Sequence, residues 1–442
     1  MSDAALPPGP PLPSWMQALM YIYNGPRFFA ACQRRYGIPF TVRFATAGTL
    51  VFFDDAADLK TMFAGDPTVY HAGEANLIMR GLVGESSVLV IDEDIHRQRR
   101  RLMLPSFHRD AVSRQTAQMA DIAAANISRW PVNTEFPVSP RMSEITLEVI
   151  LRTVIGASDP ARLAELRTVI PRLLTLGLWE LPALANPALQ RRWPWRGFGR
   201  RLAEADRLLY AEIADHRADA GLDARTDVLA MLMRATDEDG RAMTDTELRD
   251  QLMTLLAAGH DTTATALSWT LERLTRNPEV LATAVRAARE SAAGDPAGDE
   301  YLDAVVKEAL RTRPVIFDVG RRLTEPVEIG GYRLPAGVMV IAAIGLVHAN
   351  GALYPEPERF DPDRMRGVAL SPTTYLPFGG GNRRCLGATF ATAEMRTVLR
   401  EVLLRTELAT TTAPGERQKL KAVTLVPGRG ARIRITRSVR SG

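Results

Sequence analysis

Lysine and cysteine are the residues this chain of 442 amino acids does almost without. Only four lysines occur, Lys60, Lys307, Lys419 and Lys421, so nearly all of the basic charge is arginine. Acidic residues offset it to a net +4. That balance lacks the concentrated basic stripe that nucleic-acid binding needs, and no nucleic-acid partner is expected. Two cysteines, Cys32 and Cys385, do not make a disulfide framework in a chain this long. Each is read alone, and Cys32, in an amphipathic stretch, reads as a small core residue. Long apolar runs are missing too. The longest, Val338 to Val347, falls well short of the ~20 residues of a spanning helix. The N-terminus lacks a basic start followed by an apolar run and soon reads Pro7-Pro8-Gly9-Pro10-Pro11-Leu12-Pro13, so no secretory leader is expected. These absences point to a cytoplasmic protein without a transmembrane segment, and a monomer is expected. No Ser/Gly linker, charge block or internal repeat divides the chain. The expectation is one domain over 1–442, with a proline-rich segment at 1–14 and a flexible tail at 437–442.

What is present suits a large core: 46% of the residues are hydrophobic. Strand signals sit at the two ends. Phe40 to Phe44 and Thr49 to Phe53 flank a turn at Gly48, Val327 to Ile329 and Tyr332 to Leu334 flank Gly330-Gly331, and Ala431 to Thr436 alternates. From about Gln118 to Arg289 the pattern is helical. The fold class read from this is mainly α with a small β region. One helix is marked at both ends. Thr244-Asp245-Thr246-Glu247 is a capping-box signature, and Asn277-Pro278 is the stop. Its middle is apolar on nearly every face, yet it carries Ala258-Gly259-His260-Asp261-Thr262-Thr263. Glycine, aspartate and paired threonines are poor helix formers, so something other than helix formation requires them there.

The second chemical stretch is Phe378-Gly379-Gly380-Gly381-Asn382-Arg383-Arg384-Cys385-Leu386-Gly387. Three glycines allow a tight backbone path near a flat ligand. A cysteine opening a helix beside arginines has its thiolate favoured by backbone N–H groups and positive charge.

This stretch resembles the haem-binding signature of the cytochrome P-450 family, Phe-x-x-Gly-x-Arg-x-Cys-x-Gly, at Phe378, Gly381, Arg383, Cys385 and Gly387. Ala258-Gly259-His260-Asp261-Thr262-Thr263 is similar to the family's oxygen-activation segment, where a locally widened turn is expected. Glu308-Ala309-Leu310-Arg311 is similar to its Glu-x-x-Arg pair. The frame Tyr354-Pro355 to Arg364 assigns the third member of that structural triad to Arg364 rather than to Arg359 of Pro357-Glu358-Arg359-Phe360. His96 and Arg100 match a haem-propionate pair. The match runs from about His96 to the C-terminus. One departure is His348-Ala349-Asn350-Gly351, where His-Arg-Asp-Pro is commoner.

The resemblance implies a triangular prism of helices, with haem b between the long central helix and the cysteine helix. Cys385 is the implied axial ligand of the iron. His96, Arg100, Arg321 and Arg383 are implied on the propionates, and Phe378, Gly379 and Ala258 against the haem. Asp261 and Thr262 are the implied acid–alcohol pair that delivers protons, and Ala257, Phe317, Val319 and Thr424 the implied substrate-pocket wall. The implied activity is insertion of one oxygen atom of dioxygen into a C–H bond of a lipophilic small molecule, whether fatty acid, terpenoid or steroid. No flavin or nicotinamide motif is visible, so electrons are expected from a ferredoxin or flavodoxin with its NAD(P)H reductase, docking near Arg97, Arg99 and Arg384. Trp193-Pro194-Trp195 with Phe198 is read as packing, with substrate access or peripheral membrane contact as the other readings. Alternatives carried beside the monooxygenase are a peroxide-driven hydroxylase or oxidative coupling enzyme on the same fold, a non-catalytic haem sensor, and a helical lipid-binding protein without haem.

Overall fold

The computed structural model describes residues 6–438, with Leu178 and Ser438 described by backbone alone. The central helix spans Asp245–Thr275, 31 residues. It starts where the sequence marks it. The Thr244 hydroxyl accepts the Glu247 N–H at 3.3 Å, and the Glu247 carboxylate accepts the Thr244 N–H at 2.8 Å. That reciprocal cap satisfies two of the N–H groups a helix start leaves open, and is worth about 1 kcal/mol. It ends three residues before Pro278, which opens the next helix, Pro278–Ala292.

Nearly every residue of the central helix from Leu248 onward is buried, because helices surround it. It packs against Ser139–Val149, Arg196–Ala218, Pro296–Thr312 and the cysteine helix Ala388–Arg405. Leu252, Leu256, Leu267, Leu271 and Leu274 join the main core, which also takes Val398, Leu399 and Val402 of the cysteine helix. The widened turn expected near Gly259 is not there: the helix is continuous. A π-helical turn occurs instead in the neighbouring segment, at Ile150–Val154. Gly259 has a packing reason. A Cβ on it would lie 2.9 Å from Ile150 Cδ1.

Among the described residues twelve strands form the small β region. β1 (Phe40–Phe44), β2 (Gly48–Phe53), β3 (Tyr70–His71), β5 (Val319–Leu323) and β8 (Met339–Ala342) make one sheet in the order β1-β2-β8-β5-β3. β2 and β8 run parallel and the other neighbours antiparallel. Strand alternation gives this sheet two apolar faces. Val51, Phe53, Val340 and Ala342 pack on Leu59 and Met62. Leu50, Phe52, Met339 and Ile341 pack on Phe28, Phe29 and Cys32 of the N-terminal helix Ser14–Tyr36. The core placement expected of Cys32 is therefore what is observed.

β6 (Val327–Ile329) and β7 (Tyr332–Leu334) form the expected hairpin, with positive φ at both Gly330 and Gly331. β4 (Glu135–Pro137), β9 (Thr406–Leu408) and β12 (Arg432–Ser438) make a three-stranded sheet, and β10 (Gln418–Lys421) and β11 (Thr424–Pro427) a hairpin. β12 corrects the tail expected at 437–442: Arg437 pairs with Glu407 and Ser438 with Thr406, while 439–442 lie outside the described residues. The N-terminal segment is likewise tied down over its described part. Thr41 donates to Pro7 O at 2.6 Å and Pro8 O at 2.9 Å.

Candidate active site

The glycine-rich bend leading to Cys385 is clamped between two elements. The Cys385 N–H donates to Phe378 O at 2.8 Å, closing the loop on itself. Gly381 has φ 66°, and a Cβ there would lie 2.2 Å from the carbonyl oxygen of Phe63, on the helix Ala56–Ala64. Only glycine fits such a left-handed, close-packed position. Gly387 then caps the start of the cysteine helix.

Cys385 keeps accessible surface. Burial is nonetheless the largest influence on its thiol, pushing the pKa up. The Gly387 N–H, Arg384 and Arg100 act the other way and favour the thiolate. Cys32 has no such help, and burial alone pushes its thiol up to about 11.

A cationic cluster sits close by. His96 is buried, and burial with Arg383, Arg100 and Arg321 drives its pKa down to about 3. Arg321 is 5% exposed, and among the described residues its hydrogen bonds go to Gly320 O and Gly380 O. Burial and Arg383 push its pKa down to about 10. Arg383 pairs with Asp92 and donates to Val88 O and Ile91 O. Arg100 reaches Arg384 O at 2.7 Å. Three arginines gathered around His96, each of which lowers its pKa, with the Asp92 carboxylate on Arg383, form a donor set for a dianionic group. That fits the two propionates of haem, with the accessible Cys385 close by. Asp92 was not legible as the cluster's counter-ion. It precedes the helix Glu93–Met103 that carries His96 and Arg100, and Gly73 and Glu74 N–H groups also bind it.

On the otherwise mostly buried central helix, Ala258 is exposed, with Ala257, Gly259, Asp261 and Thr262 half-buried around it. The helix face opens there. The Thr262 hydroxyl donates to Ala258 O at 2.6 Å. Asp261 is held by a residue that spacing could not reveal. Lys421 Nζ of β10 lies 2.9 and 3.2 Å from its two carboxylate oxygens. The hairpin bringing Lys421 is itself fixed to the helix, since Trp269 Nε1 donates to Leu425 O at 2.8 Å. His260 turns the other way, its ring nitrogens 3.2 Å from Thr146 Oγ1 and 3.3 Å from Ser143 Oγ.

The Glu308–Arg311 pair is fully buried, with contacts of 2.7 and 2.8 Å. Arg364 Nε lies 3.2 Å from Glu308 Oε1. Arg359 pairs with Glu356 at the surface and offers Arg311 only its carbonyl. Of the four pocket-wall residues, Ala257 and Val319 are half-buried. Phe317 stacks on Phe29, and buried Thr424 gives its hydroxyl to Lys421 O. The docking face loses part of its charge to intramolecular pairs, Arg97 with Asp94 and Arg99 with Glu247. Arg384 stays exposed. Trp193 is 84% exposed, which packing does not account for, whereas Phe198 is buried in the core.

Among the described residues no helix is long and apolar enough to cross a membrane. The family model described as "Cytochrome P450" matches residues 6–431. The chain named cytochrome P450 135B1 of Mycobacterium bovis is 67% identical over 434 residues, covering 98% of this chain and 92% of that one. Cytochrome P450 135A1 of Mycobacterium tuberculosis is 41% identical over 439 residues, covering 99% and 96%. The structure of the retinoic acid bound cyanobacterial CYP120A1 superposes with TM-score 0.84 at 24% identity, covering 98% of this chain and 99% of that one. The heme domain of cytochrome P450DA gives 0.82 at 25% identity, covering 99% and 98%.

Proposed function

This chain belongs to the cytochrome P450 family, a haem-thiolate monooxygenase by that membership, and from that premise we propose that it oxidises a C–H bond of a lipophilic small molecule, the whole chain acting as one catalytic unit. Haem supplies, when bound, the iron on which dioxygen is activated.

In this reading Cys385 donates its thiolate from the start of the cysteine helix. Arg100, Arg321 and Arg383 with neutral His96 hold the propionates, which relieves their mutual repulsion. Phe378, Gly379 and Ala258 face the macrocycle. Asp261 passes protons inward, and Thr262 orients them at its Oγ1. Ala257, Phe317, Val319 and Thr424 bound the substrate space. Electrons come from a ferredoxin or flavodoxin with its NAD(P)H reductase, docking at the exposed face around Arg384, in the cytoplasm.

The observation that carries the reading is the accessible Cys385 at the start of its helix, with Arg100 at Arg384 O beside it and buried Arg321, which has carbonyl partners and no carboxylate, on the glycine bend at Gly380 O. The Asp261–Thr262 pair supports dioxygen over peroxide as oxidant, since peroxide already brings both protons and both electrons. With a ferredoxin, its reductase and NADPH, the protein should form hydroxylated product in step with NADPH consumption. Thr262→Ala should keep consuming NADPH while product per NADPH falls several-fold, read by oxygen uptake against product. Equal coupling in the two proteins would remove the proton-delivery role of Thr262.

A further inference from the structure

Five large apolar side chains share one exposed patch. Leu77 and Ile78 lie on the helical turn Leu77–Met79, and Trp179 on the turn Leu178–Glu180. Leu181 starts the short helix Leu181–Ala185, and Trp193 follows the turn Pro187–Arg191. All three turns pack on Leu181–Ala185. Side chains fix them there. Gln190 Nε2 donates to Gly81 O at 2.7 Å and to Ala183 O at 3.1 Å, and Trp195 Nε1 donates to Trp179 O at 2.7 Å. The patch is therefore held on a packed surface and not at a loose tip. Trp179 is 54% exposed, and Trp193 more so. Burying such rings would stabilise the fold, so a neighbouring group of them left in water marks a surface with a partner.

The same stretch is basic. From Leu181 to Ala203 the sequence carries five arginines and no acidic residue. Arg201 pairs with the buried Glu180. Arg191, Arg192, Arg196 and Arg200 are exposed, and among the described residues their side chains make no hydrogen bond or ion pair. Tryptophan and leucine ringed by arginine suit the boundary between hydrocarbon and phosphate. The apolar groups enter the head-group region, and the guanidiniums pair with phosphate oxygens. A soluble polyanion would satisfy the arginines and leave Leu77, Ile78 and Leu181 in water.

We propose that this patch docks the protein on a membrane surface rich in anionic lipid, as a peripheral contact. The inference is independent of the monooxygenase reading.

The test uses the haem-loaded full chain and two kinds of vesicle, phosphatidylcholine alone and an equal mixture with phosphatidylglycerol. Co-sedimentation reads binding, and quenching of tryptophan fluorescence by brominated lipid chains reads penetration. The wild type should bind the mixed vesicles about tenfold or more tightly than the neutral ones, and lose that preference as salt screens the charges. Arg191→Gln, Arg192→Gln and Arg196→Gln together should weaken binding to mixed vesicles by about 10²-fold, near fivefold for each arginine. Lysine at the same three positions should keep most of the binding. Trp193→Ser should weaken it several-fold and reduce the quenching. A wild type that stays in solution with both vesicles, or binds both equally, overturns the proposal. So does undiminished binding by the glutamine variant, and so does unchanged binding and quenching in Trp193→Ser. Every variant should keep a normal haem-thiolate spectrum, so failure on vesicles leaves the monooxygenase reading standing.

Discussion

Arg311→Ala is expected to cost about 3–5 kcal/mol of folding stability, the range for removing one partner of a buried ion pair. Both side chains are fully buried. Burial already pushes the Glu308 carboxyl up, and Arg311 is the largest influence restraining it. Without the guanidinium, Glu308 keeps only the Arg364 contact at 3.2 Å and the Asp361 N–H. Arg311 also ties the helix Pro296–Thr312 to the segments after it, through the carbonyls of His348, Pro357 and Arg359. Those carbonyls lose their donor in the same step. Denaturant unfolding of the haem-free and haem-loaded protein measures the loss. Arg311→Lys should recover little of it, since an ammonium cannot reproduce the two-pronged contact. A loss under about 1 kcal/mol would mean that the pair is no more than a surface-type bridge.

Asp261→Asn is expected to lower turnover by about 10²-fold or more, the scale of losing a positioned proton donor. Substrate dissociation constants should stay where they are, because Asp261 faces Lys421 rather than the pocket wall. Lys421→Ala is the more informative partner variant. The Asp261–Lys421 pair is partly exposed and so is worth about 1 kcal/mol at most. Releasing the carboxylate should change product per NADPH only a few-fold and shift the solvent isotope effect, with stability nearly unaltered. Lys421→Arg should restore the wild-type values. If Lys421→Ala and wild type show the same coupling and isotope effect, Lys421 only decorates the surface and Asp261 acts alone.

Local signals were legible and distant ones were not. The central helix begins and ends where its capping box and proline place it, because caps and breakers act within three or four residues. The Gly330-Gly331 hairpin and the strands β1 and β2 were legible for the same reason, as was the choice of Arg364 over Arg359, which rested on a fixed frame of prolines and aromatics. The continuous helix at Gly259 was not foreseen. A glycine amid poor helix formers looks like a break until Ile150 is seen packed against it. Lys421 lies 160 residues from Asp261, and Arg383 291 from Asp92, separations that leave no periodic trace.

The most direct measurement of the central claim is the carbon monoxide difference spectrum of the reduced protein. It should be recorded for the wild type and for the two single cysteine variants. The wild type and Cys32→Ser should give the same red-shifted band of a thiolate-ligated haem. Cys385→Ser should lose that band, even where some haem stays bound through Arg100, Arg321 and Arg383. A Cys385→Ser protein that keeps the band, or a Cys32→Ser protein that loses it, would contradict the assignment of Cys385 as the sulfur on the iron.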